Sequence, residues 1–167
     1  MKTLKEQFNV IIDCAIRIHE KTASWTAKLI GPTVFNYGTK DKNWNLRTSE
    51  LLKFPEGSLG KELGEFLQKY HVEPLAGAEY HDLHHVLFDF SISFKDEVAL
   101  QFFLHGNGKK SIASISTFIG AWFILPTQWK YLKASYERGK KCKDISILNS
   151  KTLLHQNFTQ VRASLFH

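Results

Sequence analysis

Leu4, Phe8, Ile11, Ala15, Ile18, Thr22, Trp25 and Leu29 recur at alternating spacings of four and three. Such a period lines one stripe of an amphipathic helix, predicted over residues 3–29 and ended by Gly31-Pro32. Residues 32–48 read as irregular, with Asn, Gly, Lys and Asp crowded between Tyr37 and Asn45. Pro55 and Gly57 break the short run Glu50 to Phe54. Ser58 then stands where an N-cap is needed for a helix through His71. That helix would turn Leu63, Phe66 and Leu67 inward and leave Lys61, Glu62, Glu65 and Lys69 mostly outside. Pro74 and Gly77 mark a joint, and residues 78–90 read as a further helix. Ser93 followed by Asp96 resembles a capping box with Asp in place of Glu, so the next helix is predicted from Phe94 to near Gly106-Asn107-Gly108. Residues 109–124 are strongly apolar and are broken by Pro126. Residues 127–141 mix Trp129, Leu132 and Tyr136 with basic side chains, and a last helix is predicted over residues 151–165. No alternating strand pattern competes, so the pattern predicts an all-α fold, a single-domain helical bundle over residues 1–167.

Composition narrows the picture. A chain of 167 residues with 43% hydrophobic and 23% charged side chains is that of an ordinary globular domain with room for a sizeable core. Phe is abundant, at 13 residues, which points to an aromatic core or to the lining of a pocket for a long apolar ligand. Two cysteines, Cys14 and Cys142, without a C-x-x-C pair, give neither a disulfide framework nor a thiolate metal knuckle. The expected setting is a reducing cytoplasm. Glu6 and Asp13 interrupt the N-terminal apolar residues, against a secretory signal, and no Arg-rich leader of the mitochondrial kind is present. No stretch reaches the ~18 apolar residues of a membrane span. The net charge of +6 is uneven, since residues 127–167 carry 8 basic and 2 acidic side chains. That excess suits an anionic partner or a solvated helix face. Without a recognition motif it does not argue for nucleic acid.

The chemistry concentrates in Glu79-Tyr80-His81-Asp82-Leu83-His84-His85. On a helix His81 and His85 are one turn apart, and Asp82 lies about 100° from the first and about 60° from the second. Glu97 falls in the first turn of the following helix, after a link short enough to fold it back antiparallel. Two imidazoles and two carboxylates would then meet between adjacent helices, a donor set for zinc, iron or manganese with positions left open. The same residues could instead be ordinary satisfied or solvated side chains, and spacing alone leaves both readings open. Around the four, Glu79 and Tyr80 are candidates to orient a ligand imidazole. His84 is expected behind the ligands or facing solvent, and His105, two turns beyond Glu97, near the site or at the helix-end carbonyls.

His81-Asp82-x-x-His85, eleven residues and Glu97 together form the pattern H-D-x-x-H-x11-E, which resembles the ubiquinone (coenzyme Q) biosynthesis protein four family. Gly57-Ser58-Leu59-Gly60 is similar to that family's G-[ST]-L-G element. Tyr136-Glu137-Arg138-Gly139-Lys140-Lys141 is similar to its late helix, and Arg162-Ala163-Ser164-Leu165 to its closing Arg-x-x-Leu. Only twenty residues separate Gly60 from His81, and Leu75 to Tyr80 replaces an Arg-x-Arg element, so the chain reads as a compact, divergent member. The resemblance implies a helical fold and one divalent metal held by His81, Asp82, His85 and Glu97. It also implies a cavity for a polyprenylated quinone precursor, oxidative removal of its C1 carboxyl by a decarboxylase- or hydroxylase-type lyase, and partnership with other enzymes of the pathway.

The basic segment 127–143 and the apolar run 112–125 would fit peripheral contact with the inner membrane. Two rival readings are a non-catalytic isoprenoid-lipid carrier or assembly scaffold clamped by a structural metal, and a metal-dependent phosphohydrolase enlisting His71 and Asp144. An oligomer is compatible with all three.

Overall fold

The structure, a computed structural model, describes residues 44–74, 77–109, 126–148 and 151–166. The helix expected over 3–29 and the apolar segment after residue 109 lie outside them. Six α-helices and no strand occur among the described residues: α1 (Thr48–Leu51), α2 (Leu59–Lys69), α3 (Glu79–Phe88), α4 (Phe94–Gly106), α5 (Trp129–Lys141) and α6 (Phe158–Ser164). Short 3-10 turns at Pro126–Gln128, Ile145–Leu148 and Lys151–His155 connect them. The fold is all-helical, as the pattern predicts. None of the described helices is long and apolar enough to cross a membrane.

Local chemistry explains the helix starts. Ser58 caps α2 by accepting from the Lys61 backbone N–H, and Ser93 caps α4 by accepting from that of Asp96. Asp96 departs from the expected box, because its carboxylate takes the N–H and hydroxyl of Ser91 rather than returning to Ser93. The predicted last helix is two pieces. His155 ends a 3-10 turn, and Asn157 begins α6 by accepting from the Gln160 N–H. Gln156 and Asn157 are diverted into an antiparallel bridge with Ser58, in which Leu59 N–H donates to the Gln156 carbonyl and Phe158 N–H to that of Gly57. Gly57 meets this bridge at a φ of 72°, a conformation that favours glycine.

α4 is buried on most of its faces through Val98, Ala99, Leu100, Phe102, Phe103 and Leu104. A helix of that kind is central rather than peripheral. Phe88, Phe102 and Phe103 are fully buried, each stabilising the fold by about 1.5–3 kcal/mol by area removed from water. These phenylalanines are core, as one of the two readings of the Phe content expects. α5 lies so close to α4 that a Cβ on Gly139 would collide with the Phe103 carbonyl, and one on Gly106 with that of Tyr136. Asn107 then fastens the end of α5, donating to the carbonyls of Gly139, Cys142 and Lys143 and accepting from the Ile145 N–H.

This crossing sets a prediction. Alanine is the better helix former by about 1 kcal/mol, yet Gly139→Ala should destabilise the protein by about 3 kcal/mol, because backbone must move to admit the methyl. Urea unfolding measures it. An unchanged or raised midpoint would contradict the close approach.

Candidate metal centre

Three of the four expected ligands converge. His81 Nε2 lies 3.1 Å from Glu97 Oε2, His85 Nε2 lies 3.2 Å from Glu97 Oε1, and the two imidazole nitrogens are 3.0 Å apart. One ligand atom from each of the three residues falls within 4.8 Å of the others. Around a tetrahedral zinc ion with bonds of 2.0–2.2 Å, neighbouring ligand atoms sit roughly 3.3 Å apart. The triangle is therefore nearly the right size, and its donor chemistry fits a dication with no large rearrangement. The arrangement comes from the one-turn spacing of the histidines on α3 and from the five-residue link Asp89–Ser93, which brings the first turn of α4 against them.

His85 is the fixed member. Its side chain is 1% exposed, against 19% for His81 and 37% for Glu97, so the cluster is sealed behind His85 and reached past the other two. His85 Nδ1 lies 3.2 Å from the Phe90 carbonyl. A carbonyl only accepts, so Nδ1 carries the proton and donates it, and Nε2 is the nitrogen turned to Glu97 and available to a metal. Phe66 stacks on the same ring at a centroid distance of 5.8 Å. The helix stops at Phe88, two residues earlier than the pattern suggests, because Asp89 adopts a left-handed conformation with φ 57° and ψ 51°. That reversal carries the Phe90 carbonyl back to His85. Sequence reasoning missed this contact, whose only visible signal is an Asp, a residue that tolerates φ > 0, at a helix end.

Asp82 stands beside the triangle rather than in it. Half-buried, it takes no hydrogen bond among the described residues. Burial raises its pKa to about 6, with His81 and His85 pulling the other way. The four residues around the cluster lie elsewhere. Glu79 is buried and accepts from the backbone N–H groups of Gly77, at 2.7 Å, and Trp44, at 3.1 Å, so it fastens the start of α3. Tyr80 packs edge-on against Trp44 with ring centroids 5.1 Å apart. His84 is buried against Phe88 rather than facing solvent, and burial, aided by the Lys109 charge, holds its pKa well below the usual value. His105 packs near Tyr136. His71 and Asp144 are exposed and outside the ligand cluster, which leaves the phosphohydrolase reading without a second pair of ligands among the described residues.

Electrostatics bind the triangle together. Burial alone would raise the Glu97 pKa, but the hydrogen bonds and charges of His81 and His85 outweigh it and hold the carboxylate well below its ordinary range. Burial alone would lower that of His85, but Glu97 and the Phe90 carbonyl raise it above 6.5.

A family model described as coenzyme Q (ubiquinone) biosynthesis protein Coq4 matches residues 76–166, a stretch that contains the whole H-D-x-x-H-x11-E pattern but not Gly57 to Gly60. Among solved structures, the chain is similar to the crystal structure of a candidate ubiquinone biosynthesis protein from Nostoc punctiforme PCC 73102. The TM-score is 0.52 at 19% identity, over 95% of this chain and 80% of that one. At that identity the likeness is one of fold. No curated protein matches the chain in sequence.

The pKa shifts predict how metal affinity follows pH. The raised His85 value means that its proton stabilises the metal-free fold below the unfolded pKa of about 6.5, and that this contribution is lost as pH rises through the folded value. Glu97, held low, contributes stability above the ordinary carboxylate range that is lost as pH falls through its folded pKa. A metal must displace the His85 proton. Zinc affinity should therefore climb as pH rises from 6 to 8, with proton release visible by calorimetry in buffers of different ionisation enthalpy. A flat profile would mean that His85 is not a ligand.

Proposed function

Since the chain belongs to the Coq4 family of coenzyme Q (ubiquinone) biosynthesis proteins, and so has a role in coenzyme Q biosynthesis, we propose that it is a metal-dependent protein acting on a polyprenylated ring precursor of that pathway. The observation that carries this reading is the triangle of His81, His85 and Glu97, close in size to what one divalent ion would need and with the His85 tautomer set by the Phe90 carbonyl. Asp82, adjacent and with a carboxylate that accepts no hydrogen bond among the described residues, is the fourth ligand in this proposal, since a dication would favour its ionised form. Iron or manganese would supply the redox chemistry of an oxidative C1 decarboxylation, whereas zinc would supply a Lewis acid only.

The chain's own residues have separable tasks. His85 is held at one tautomer by Phe90 and gives the site a fixed corner. His81 and Glu97 form its accessible side. An open cleft of about 530 Å³ between α2, α3 and α6 borders the site at His85 and not at His81 or Glu97, walled by Phe66, Tyr70, Phe90 and Phe158, with Glu62, Glu65, Asp89 and Asp96 outnumbering Lys69 and Arg162. Its aromatic walls would stack on a ring. The exposed face of α5 carries Lys130, Lys133, Lys140 and Lys141 with Trp129, which is 36% exposed. Such a face would suit peripheral contact with an anionic membrane from which a lipid substrate is collected. The ligands also bridge two helices, so a scaffold or lipid carrier with a structural metal is the second reading.

Elemental analysis of protein purified without a metal-affinity tag should find about one iron, manganese or zinc ion per chain, lost in both Glu97→Gln and His85→Ala. Metal-free wild type that folds and resists all three ions would sink the site. Cells lacking the protein should accumulate a prenylated ring precursor that keeps its carboxyl. If the metal-free variants restore quinone levels in such cells, the scaffold reading replaces the enzyme. Sedimentation with vesicles containing anionic lipid should be lost when Lys130, Lys133, Lys140 and Lys141 are all changed to Glu. Equal sedimentation of that variant would remove the membrane contact from α5.

A further inference from the structure

Within the motif Tyr136 to Lys141, Arg138 is explained neither by the metal nor by the basic face of α5. It points the other way from the exposed lysines. Arg138 is only half-exposed, and its Nη2 donates to the carbonyl of Phe88, the last residue of α3. Its guanidinium lies over three rings, with Cζ 5.2 Å from the centroid of Phe90, 5.4 Å from Phe103 and 5.8 Å from Phe166. The close crossing at Gly139 brings α5 near enough to α4 for the adjacent Arg138 to occupy this position.

What Arg138 grips is the turn behind the ligand site. Asp89 is a non-glycine residue in the left-handed region, a helix-ending conformation that an aspartate tolerates. The reversal has two consequences for His85. The Phe90 N–H donates to the His85 carbonyl at 3.0 Å, and the Phe90 carbonyl accepts from His85 Nδ1 at 3.2 Å. On one side of Asp89, Arg138 holds the Phe88 carbonyl. On the other, it covers the Phe90 ring. Arg162 of α6 adds a looser tether, 3.8 Å from the Asp89 carboxylate.

We propose that Arg138 is a positioning residue for His85: by holding Phe88 and Phe90 on either side of the left-handed Asp89, it fixes the carbonyl that sets the His85 tautomer and ring orientation. The planar fork matters, because one guanidinium must donate in its plane to a carbonyl while its face covers aromatic rings. A helix that contributes no ligand thereby controls the most buried one. The metal part of this inference rests on the site reading above; the tautomer part does not.

Two variants and two readouts test it. Nitrogen NMR of the metal-free protein should find His85 protonated at Nδ1 in wild type and a mixture of tautomers in Arg138→Met. Zinc affinity should fall by about 10- to 100-fold in Arg138→Met, the range of a lost orienting partner. Arg138→Lys keeps the charge over the rings but loses the fork, and should fall between the two on both readouts. It also decides the question if Arg138→Met does not fold. A merely structural arginine would lower the melting temperature while leaving the His85 tautomer and the zinc affinity of the folded protein unchanged, and that result overturns the proposal. If wild type binds no metal, the metal-centre reading fails, and the tautomer comparison still decides the role of Arg138.

Discussion

A buried imidazole has two nitrogens to satisfy, and the arrangement of α3, the turn after it and α4 follows from how His85 satisfies both. One nitrogen faces the carbonyl of Phe90, five residues along the same chain. The other faces Glu97 on the next helix, at 3.2 Å. The first contact needs the chain to reverse at Asp89 and the second needs it to return at once as α4. A longer helix, or a link without the left-handed residue, would lose the first contact and leave a polar group unpaired in the interior, at a cost of about 1–3 kcal/mol. His81 then has little freedom, since one helical turn away on the same face it meets the same carboxylate.

This local demand is met by packing that carries no chemistry itself. Phe88 and Phe103 pack with tilted rings 4.2 Å apart between centroids and join the end of α3 to the last turn of α4. Gly139 lets α5 lie against the Phe103 backbone, and Asn107 fastens the far end of that crossing. Rigid helices behind a site are what keep ligand atoms within a few tenths of an ångström of a productive geometry. The apolar core therefore serves the site by removing alternatives.

Much of this was legible in the residues. The period of Leu63, Phe66 and Leu67, the serines before α2 and α4 and the glycines at the end of α4 place two helices close to their observed bounds. The i, i+4 histidines and the spacing to Glu97 place the triangle, because helix geometry is regular and the link is short. What was not legible depends on backbone outside regular helix. The stop at Phe88 turns on one left-handed aspartate, and the Phe90 carbonyl has no side-chain signature at all. The split of residues 151–165 turns on a backbone bridge between Ser58 and Asn157, a contact between segments about a hundred residues apart that no local pattern encodes. Glu79, next to the motif in sequence, serves the backbone of Trp44 and Gly77, two loop N–H groups that no helix pairs and that need an acceptor.

The charge balance of the site gives the last step. Glu97 is held ionised by two imidazoles, and Asp82 is pushed up to about 6 by burial despite the same two imidazoles. The metal-free cluster thus stabilises one carboxylate well and the other poorly, although both lie within reach of its field. Two imidazole nitrogens cannot both be protonated 3.0 Å apart without repulsion, so protons alone offer the cluster little more than one positive charge. A dication in their place would leave both nitrogens neutral and both carboxylates ionised.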